Sequence, residues 1–284
     1  MELGMGKGLL IIILIGFTAC THLFYQPTKQ TYFTPDQFKL DYQEHKFKSL
    51  DGTELHSWLL PADPKVKRRG LLVHFHGNAQ NLSSHFLNLA WVTKEGFDLF
   101  IFDYRGYGKS KGAPFQKGVY QDALAAMTYG HDLFKKNQKN NNEKFIIYGQ
   151  SLGGVISLRA MADFELKDKV SLLVLDSTFM SYQDIGFDKL TDHWLFVPFS
   201  PLTYFLVSDE YAADDTLDQV MAPTLVIVGE KDRIVPSKFG KKIFKRSKAS
   251  QKWIWKLDEG QHIDGFHVDQ GKYRLDFLKL VDSI

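Results

Sequence analysis

Gly149-Gln150-Ser151-Leu152-Gly153-Gly154 sets one serine between glycines at the spacing G-x-S-x-G. An apolar run, Phe145 to Tyr148, precedes it and an apolar helical pattern, Leu152 to Ala162, follows. A serine held at so sharp a strand-to-helix turn takes strained backbone angles, and side chains at positions 149 and 153 would collide with neighbouring chain. Its hydroxyl would face an open site with a helix amino end behind it, where N–H groups favour developing negative charge. A serine hydroxyl is a weak nucleophile until a base takes its proton, and the base needs an acid to orient it. Asp232, in Gly229-Glu230-Lys231-Asp232-Arg233-Ile234-Val235-Pro236, and His262, in Gly260-Gln261-His262, each follow an apolar run. The order Ser, Asp, His is the one this kind of turn uses. Two rivals stand beside them. Asp176 ends the run Ser171 to Leu175 and has an alternative use as a turn cap, and His267 lies five residues beyond His262. Gly260 permits the bent loop a base requires, which favours His262.

The elements that must position these residues are legible as an alternation. Lys46 to Leu50 and Leu55 to Leu59 flank Asp51-Gly52, a hairpin signal. Further strands are expected over Leu71 to Phe75, Phe97 to Phe102, Phe145 to Tyr148, Ser171 to Leu175, Thr224 to Val228 and Trp253 to Leu257. Helical patterns cover Val119 to Phe134, Leu152 to Ala162, Phe239 to Phe244 and Leu275 to Val281. Strand and helix in that rhythm imply a mostly parallel sheet with helices on both faces, and such sheets carry their working residues at the carboxyl ends of the strands. No internal repeat and no interdomain linker interrupts the pattern.

Four blocks together resemble the α/β-hydrolase family. They are His74-Phe75-His76-Gly77-Asn78-Ala79, Asp103-Tyr104-Arg105-Gly106-Tyr107-Gly108-Lys109-Ser110, the Ser151 turn, and the Asp232 and His262 segments. Within that family the chain is similar to small-cap serine hydrolases: the BEM46-like proteins and the serine aminopeptidase set that includes monoacylglycerol lipases. The resemblance runs from about Phe47 to the C-terminus. It implies an α/β-hydrolase domain over 41–284, with a short cap at about 177–215 between the strands ending near Leu175 and starting near Thr224. It also implies Ser151 as nucleophile, His262 as general base, Asp232 as orienting acid, and the backbone N–H groups of Leu152 and Asn78 as oxyanion donors. The expected activity is cleavage of carboxylic (acyl) esters, of hydrophobic small-molecule substrates, through an acyl-enzyme on Ser151, with no cofactor. A peptidase acting on short peptides is the alternative, with Asp209 and Glu210 as the groups that would hold a free amine. A non-catalytic binding protein is the third reading.

Between Asp176 and Pro223 aromatic residues are dense, including Phe179, Tyr182, Phe187, Trp194, Phe199, Tyr204 and Phe205. They are expected either to line an acyl pocket or to form the cap's own small core. His74 and His76 share one face of a strand, but no third ligand has matching spacing, so no metal is expected. Gly108-Lys109-Ser110 ends like a phosphate loop, yet the glycine that motif requires falls on Asp103. His45, His56, His85, His131 and His193 lie outside the strand-end motifs and are expected on the surface or in packing.

The N-terminus has its own logic. Lys7 precedes the apolar run from Gly8 to Phe17, which is shorter than the roughly 20 residues a membrane-crossing helix needs. A cationic start, a short apolar run and small residues after it describe an export signal over 1–19. Phe17-Thr18-Ala19-Cys20 resembles the lipobox of bacterial lipoproteins, with Phe17 departing from the usual aliphatic. Cys20 is the only cysteine, so no internal disulfide can form. The resemblance implies lipid on Cys20, a spacer over 20–40 and membrane attachment; an uncleaved signal anchor is the alternative, and both place the domain in the cell envelope outside the cytoplasm. The remaining composition is neutral in its implications. The 284 residues carry 35 Lys and Arg against 33 Asp and Glu, a net charge of +2, which leaves no basic face for nucleic acid.

Overall fold

The computed structural model describes residues 24–192 and 194–284. Eight strands form one sheet: β1 Gln43–Lys48, β2 Glu54–Leu60, β3 Gly70–Phe75, β4 Phe97–Phe102, β5 Lys144–Gln150, β6 Leu172–Asp176, β7 Thr224–Gly229 and β8 Lys252–Leu257. Their order across the sheet is β1-β2-β4-β3-β5-β6-β7-β8, and β2 alone runs against its neighbours. Strands β3 to β7 read as continuous apolar runs because both of their faces are covered.

Alternate residues along each strand feed two separate cores. Leu71, Val73 and Phe75 on β3, with Phe145 and Ile147 on β5, pack against helices α1 (Gln116–Asn137) and α2 (Leu152–Asp163). Phe239 and Ile243 of a later helix, residues 238–246, join the same core. Leu72, Ile146, Tyr148 and Val174 point the other way, toward Phe277 and Val281 of the C-terminal helix Lys272–Ser283. The crossover from β3 to β4 is no single helix. It is a short helical turn, Leu82–His85, followed by 3-10 turns at Phe86–Asn88 and Ala90–Glu95.

The hairpin expected around Asp51-Gly52 forms, but its first strand lies three residues nearer the N-terminus. Ser49 N–H donates to Thr53 O, and Gly52 takes φ of +86°. Behind it Arg105 bridges Asp51 at 2.7 Å and the fully buried Asp122 at 2.8 Å, tying the hairpin to α1. Burial raises the Asp122 carboxyl pKa while the Arg105 guanidinium opposes that shift.

Cys20, the proposed export signal and His193 lie outside the described residues. From Phe24 onward the segment expected as a spacer is bound to the domain. Tyr25 is fully buried, Pro27 bridges Gln80, Thr28 O accepts from Gly108 N–H, and Asn81 Nδ2 donates to the carbonyls of Thr28 and Gln30.

Candidate active site

Ser151 stands between β5 and α2 with φ 51° and ψ −118°. What holds it there is close packing around the flanking glycines. A Cβ at position 153 would lie 2.0 Å from Phe75 O, and one at 149 would lie 2.4 Å from Ser157 Oγ. Among the described residues, five of the eight non-glycine residues with positive φ lie in the loops around this point: Ala79, Gln80, Ser151, Ser177 and Ile263. Backbone strain is therefore concentrated where strand ends converge.

His262 Nε2 lies 3.0 Å from Ser151 Oγ, and its Nδ1 lies 2.8 Å from Asp232 Oδ2. The other Asp232 oxygen accepts from the amides of Ile234 at 2.8 Å and Val235 at 2.9 Å, within the loop after β7. That loop is the Asp-x-x-Val segment itself, so the residues of that motif also clamp the Asp232 carboxylate. With Asp232 ionised, Nδ1 of His262 carries the proton and Nε2 is the acceptor facing the serine hydroxyl.

The rivals are elsewhere. Asp176 is fully buried, accepting at Oδ2 from Tyr148 Oη (2.9 Å) and Gln150 Nε2 (3.2 Å), and at Oδ1 from Ser177 Oγ (3.0 Å). Burial raises its carboxyl pKa. Ser177 Oγ in turn accepts from Ile263 N–H at 3.2 Å, so Asp176 supports the loop that carries His262 without touching the imidazole. The His267 side chain meets Arg274 at 3.2 Å, away from Ser151.

Around Ser151 opens a cavity of about 520 Å³. Its floor includes Asn78 and Leu152, the first residue of α2, whose amide has no intrahelical acceptor. Its walls include Phe179, Val235, Ile263 and one face of helix α3 (Tyr182–Thr191), which contributes Ile185, Gly186, Lys189 and Leu190. Asp209 does not face this space. Its carboxylate caps α3, accepting from the amides of Tyr182 (2.7 Å) and Gln183 (3.1 Å) and from Ser181 Oγ (2.5 Å).

Three contributors, Tyr107, Gln26 and His85, have no role at the site that the sequence alone assigns. Asn78 Oδ1 is held by Tyr107 Oη at 3.0 Å and by the backbone N–H of Gln26 at 2.8 Å, so the N-terminal segment is laid against the loop after β3. His85, expected in packing, lines the cavity and stacks on His76 with ring centroids 5.2 Å apart. Burial lowers the pKa of both imidazoles. His74 Nε2 donates to Gln150 Oε1 at 2.8 Å, and His76 Nδ1 donates to Gly77 O at 2.8 Å. Among the described residues no group of three or more His, Cys, Asp or Glu side chains is placed to hold a metal ion. The cap aromatics divide in a way neither expectation foresaw. Phe179 lines the cavity, Tyr182 is buried, and most of the large apolar residues of 194–206 face solvent.

An eight-stranded, mostly parallel sheet whose strand ends gather a serine, a histidine and an aspartate defines a class, and the comparisons agree on it. The family model for the alpha/beta hydrolase fold matches residues 70–214, and the chain belongs to that family. It is 30% identical to the uncharacterised protein YfhR of Escherichia coli O157:H7, over 98% of this chain and 94% of that protein. It is also 30% identical to the protein bem46 of Schizosaccharomyces pombe, over 75% of this chain and 68% of the relative. Among solved structures, the Pyrococcus furiosus esterase Pf2001 superposes with a TM-score of 0.72 at 19% identity, covering 92% of this chain and 98% of the other. At that identity the likeness is one of fold.

Proposed function

We propose that this α/β hydrolase is a serine esterase that cleaves hydrophobic acyl esters. One observation carries the reading: Ser151 Oγ, His262 and Asp232 form a continuous hydrogen-bonded line that opens into a largely apolar cavity. Ser151 Oγ attacks the ester carbonyl carbon while His262 Nε2 takes its proton, and Asp232 stabilises the imidazolium that results. The negative charge on the former carbonyl oxygen is received by the amides of Leu152 and Asn78, where each such donor contributes about 10²–10³ in rate. His262 then returns the proton to the departing alkoxide oxygen. Water, activated by the same imidazole, releases the acid and restores Ser151.

The lining favours a hydrocarbon acyl chain, since the wall from α3 presents Ile185, Gly186 and Leu190. The peptidase alternative loses support from its proposed amine-binding groups, because every Asp209 side-chain hydrogen bond goes to the start of α3 and neither Asp209 nor Glu210 lines the cavity. A series of p-nitrophenyl esters tests the reading. Turnover should rise with acyl length from acetate through octanoate, whereas turnover confined to amino-acyl amides would refute it. Lipid on Cys20 and an envelope location belong to the same proposal. Metabolic labelling with an alkynyl fatty acid should mark the chain and be lost in Cys20→Ser; equal labelling of that variant would remove the lipid anchor.

A further inference from the structure

The described chain begins at Phe24, whose ring packs edge-on against Tyr182 of α3 with centroids 5.3 Å apart and which lines the cavity mouth. On the outer side of α3 lies the segment 194–207, which contains no charged side chain. It folds as 3-10 turns at Val197–Leu202 and a helical turn at Thr203–Leu206. Its buried members face inward: Thr203 lines the cavity, and Ser200 anchors the turn. Its large apolar members face out. Trp194 and Phe205 are 76% and 77% exposed, with Leu195, Phe199, Leu202 and Leu206 also exposed. Ile234, another exposed apolar residue at 58%, also lines the cavity.

So large and uncharged an apolar face is unusual on a soluble protein and marks a surface with a partner. Three features of the chain choose among partners. The segment that bears the face also supplies Thr203 to the lining of the apolar cavity, and Ile234, itself exposed, lines the same cavity. The chain enters the described domain at that mouth, four residues after Cys20, where the proposed lipid would hold it at a bilayer. The exposed set also combines aliphatic residues with Trp194 and Tyr204, side chains suited to the boundary between acyl chains and headgroups.

We propose that the exposed face of residues 194–207 docks on a phospholipid bilayer, so that the cavity opens at the lipid surface. Resting on the esterase reading, this makes the substrate an acyl ester drawn from the membrane plane. Lacking charge, the face would bind zwitterionic lipid, and its attachment would not weaken with salt.

The test uses the full chain reconstituted in phosphatidylcholine vesicles, with and without bromine on the acyl chains as a tryptophan quencher. The Trp194 contribution is taken as the difference between the protein and Trp194→Phe. Expected is a loss of at least half of that contribution in brominated vesicles, unchanged in 1 M salt. An unquenched Trp194 would overturn the proposal, because attachment through the N-terminus alone does not bring this face into the acyl region. Trp194 already shielded from aqueous acrylamide without vesicles would also overturn it. A doubled mass would then make a second copy the occupant, and an unchanged mass the chain's own residues before Phe24.

In activity, Trp194→Ser with Phe205→Ser should lower turnover of a long-chain monoester embedded in vesicles at least fivefold. Turnover of soluble p-nitrophenyl butyrate should stay within twofold. Equal losses on both substrates, or none on either, would overturn the proposal. If the unaltered protein cleaved neither ester, the esterase reading would fall, and the quenching result would still decide the docking.

Discussion

Replacing Asp232 by Asn and Asp176 by Asn makes the same chemical change at two buried carboxylates, with opposite expected results. At Asp232 one oxygen accepts from two amides, those of Ile234 and Val235, and the other accepts from His262 Nδ1. Asn has only one oxygen to offer. Keeping it toward the two amides saves two hydrogen bonds at the expense of one, so the NH₂ turns toward His262. The imidazole then keeps its proton on Nε2 and cannot accept one from Ser151. A wrong tautomer of this kind lowers kcat about 10⁴-fold in the protease triad, or about 5.5 kcal/mol of transition-state stabilisation. At Asp176 the donors are Tyr148, Gln150 and Ser177, and none belongs to the reacting groups. Keeping the Asn oxygen toward Tyr148 and Gln150 turns the NH₂ to Ser177 Oγ, whose own hydroxyl proton then loses its acceptor. That loss costs about 1–3 kcal/mol of stability, while activity per folded molecule stays within tenfold. The assay is kcat/KM on p-nitrophenyl butyrate, with urea unfolding of each variant run alongside. A folded Asp176→Asn protein that lost a thousandfold while Asp232→Asn kept most of its activity would refute the assignment.

Two further expectations concern the surroundings of the site. Tyr107→Phe removes one of the two donors on Asn78 Oδ1 and leaves the Gln26 amide. It should therefore lower kcat about three- to tenfold with little change in KM, as a loosened transition-state contact does, whereas a change confined to KM would contradict a role for that loop in receiving charge. Burial pushes the fully buried His74 down to about 3 from 6.5. Between those values the unfolded chain binds a proton that the folded chain does not, so stability is complete above pH 6.5 and is lost as pH falls. At pH 5 the gap of 1.5 units corresponds to about 2 kcal/mol. The raised pKa values of Asp103 and Asp176 work in the opposite sense, favouring the folded state as pH falls through them. His74→Gln should consequently lose about 2 kcal/mol less than the unaltered protein between pH 7 and pH 5 in urea unfolding. Equal losses would show that His74 does not carry the effect.

What the sequence made legible follows from how the information is stored. Strands β3 to β7 are buried on both faces, so they had to be unbroken apolar runs, and their ends could be read to within one or two residues. Ser151 and Asp232 stand in loops whose geometry depends on nearby glycines or on amides within the same loop, and such local constraints leave a pattern. The hold on Asn78 left none, because it joins Gln26 and Tyr107, 52 and 29 residues away, through a backbone N–H and one hydroxyl. His85 was missed for a related reason: it lies in the broken crossover after β3, where short turns give no helical period to place its face. In the cap, composition revealed the aromatic residues but not their direction. Phe179 turns in and Phe205 turns out, and only the path of the chain around α3 separates them.

The most direct test of the central claim is a fluorophosphonate label, which reacts with an activated serine whatever the natural substrate. Treated as the full chain in detergent and digested for mass spectrometry, the protein should carry the adduct on Ser151 and on no other serine. His262→Ala, lacking the imidazole nitrogen 3.0 Å from the hydroxyl, should label at least a thousandfold more slowly. An unlabelled Ser151 in protein shown to be folded, or labelling that persists undiminished without His262, would contradict the account.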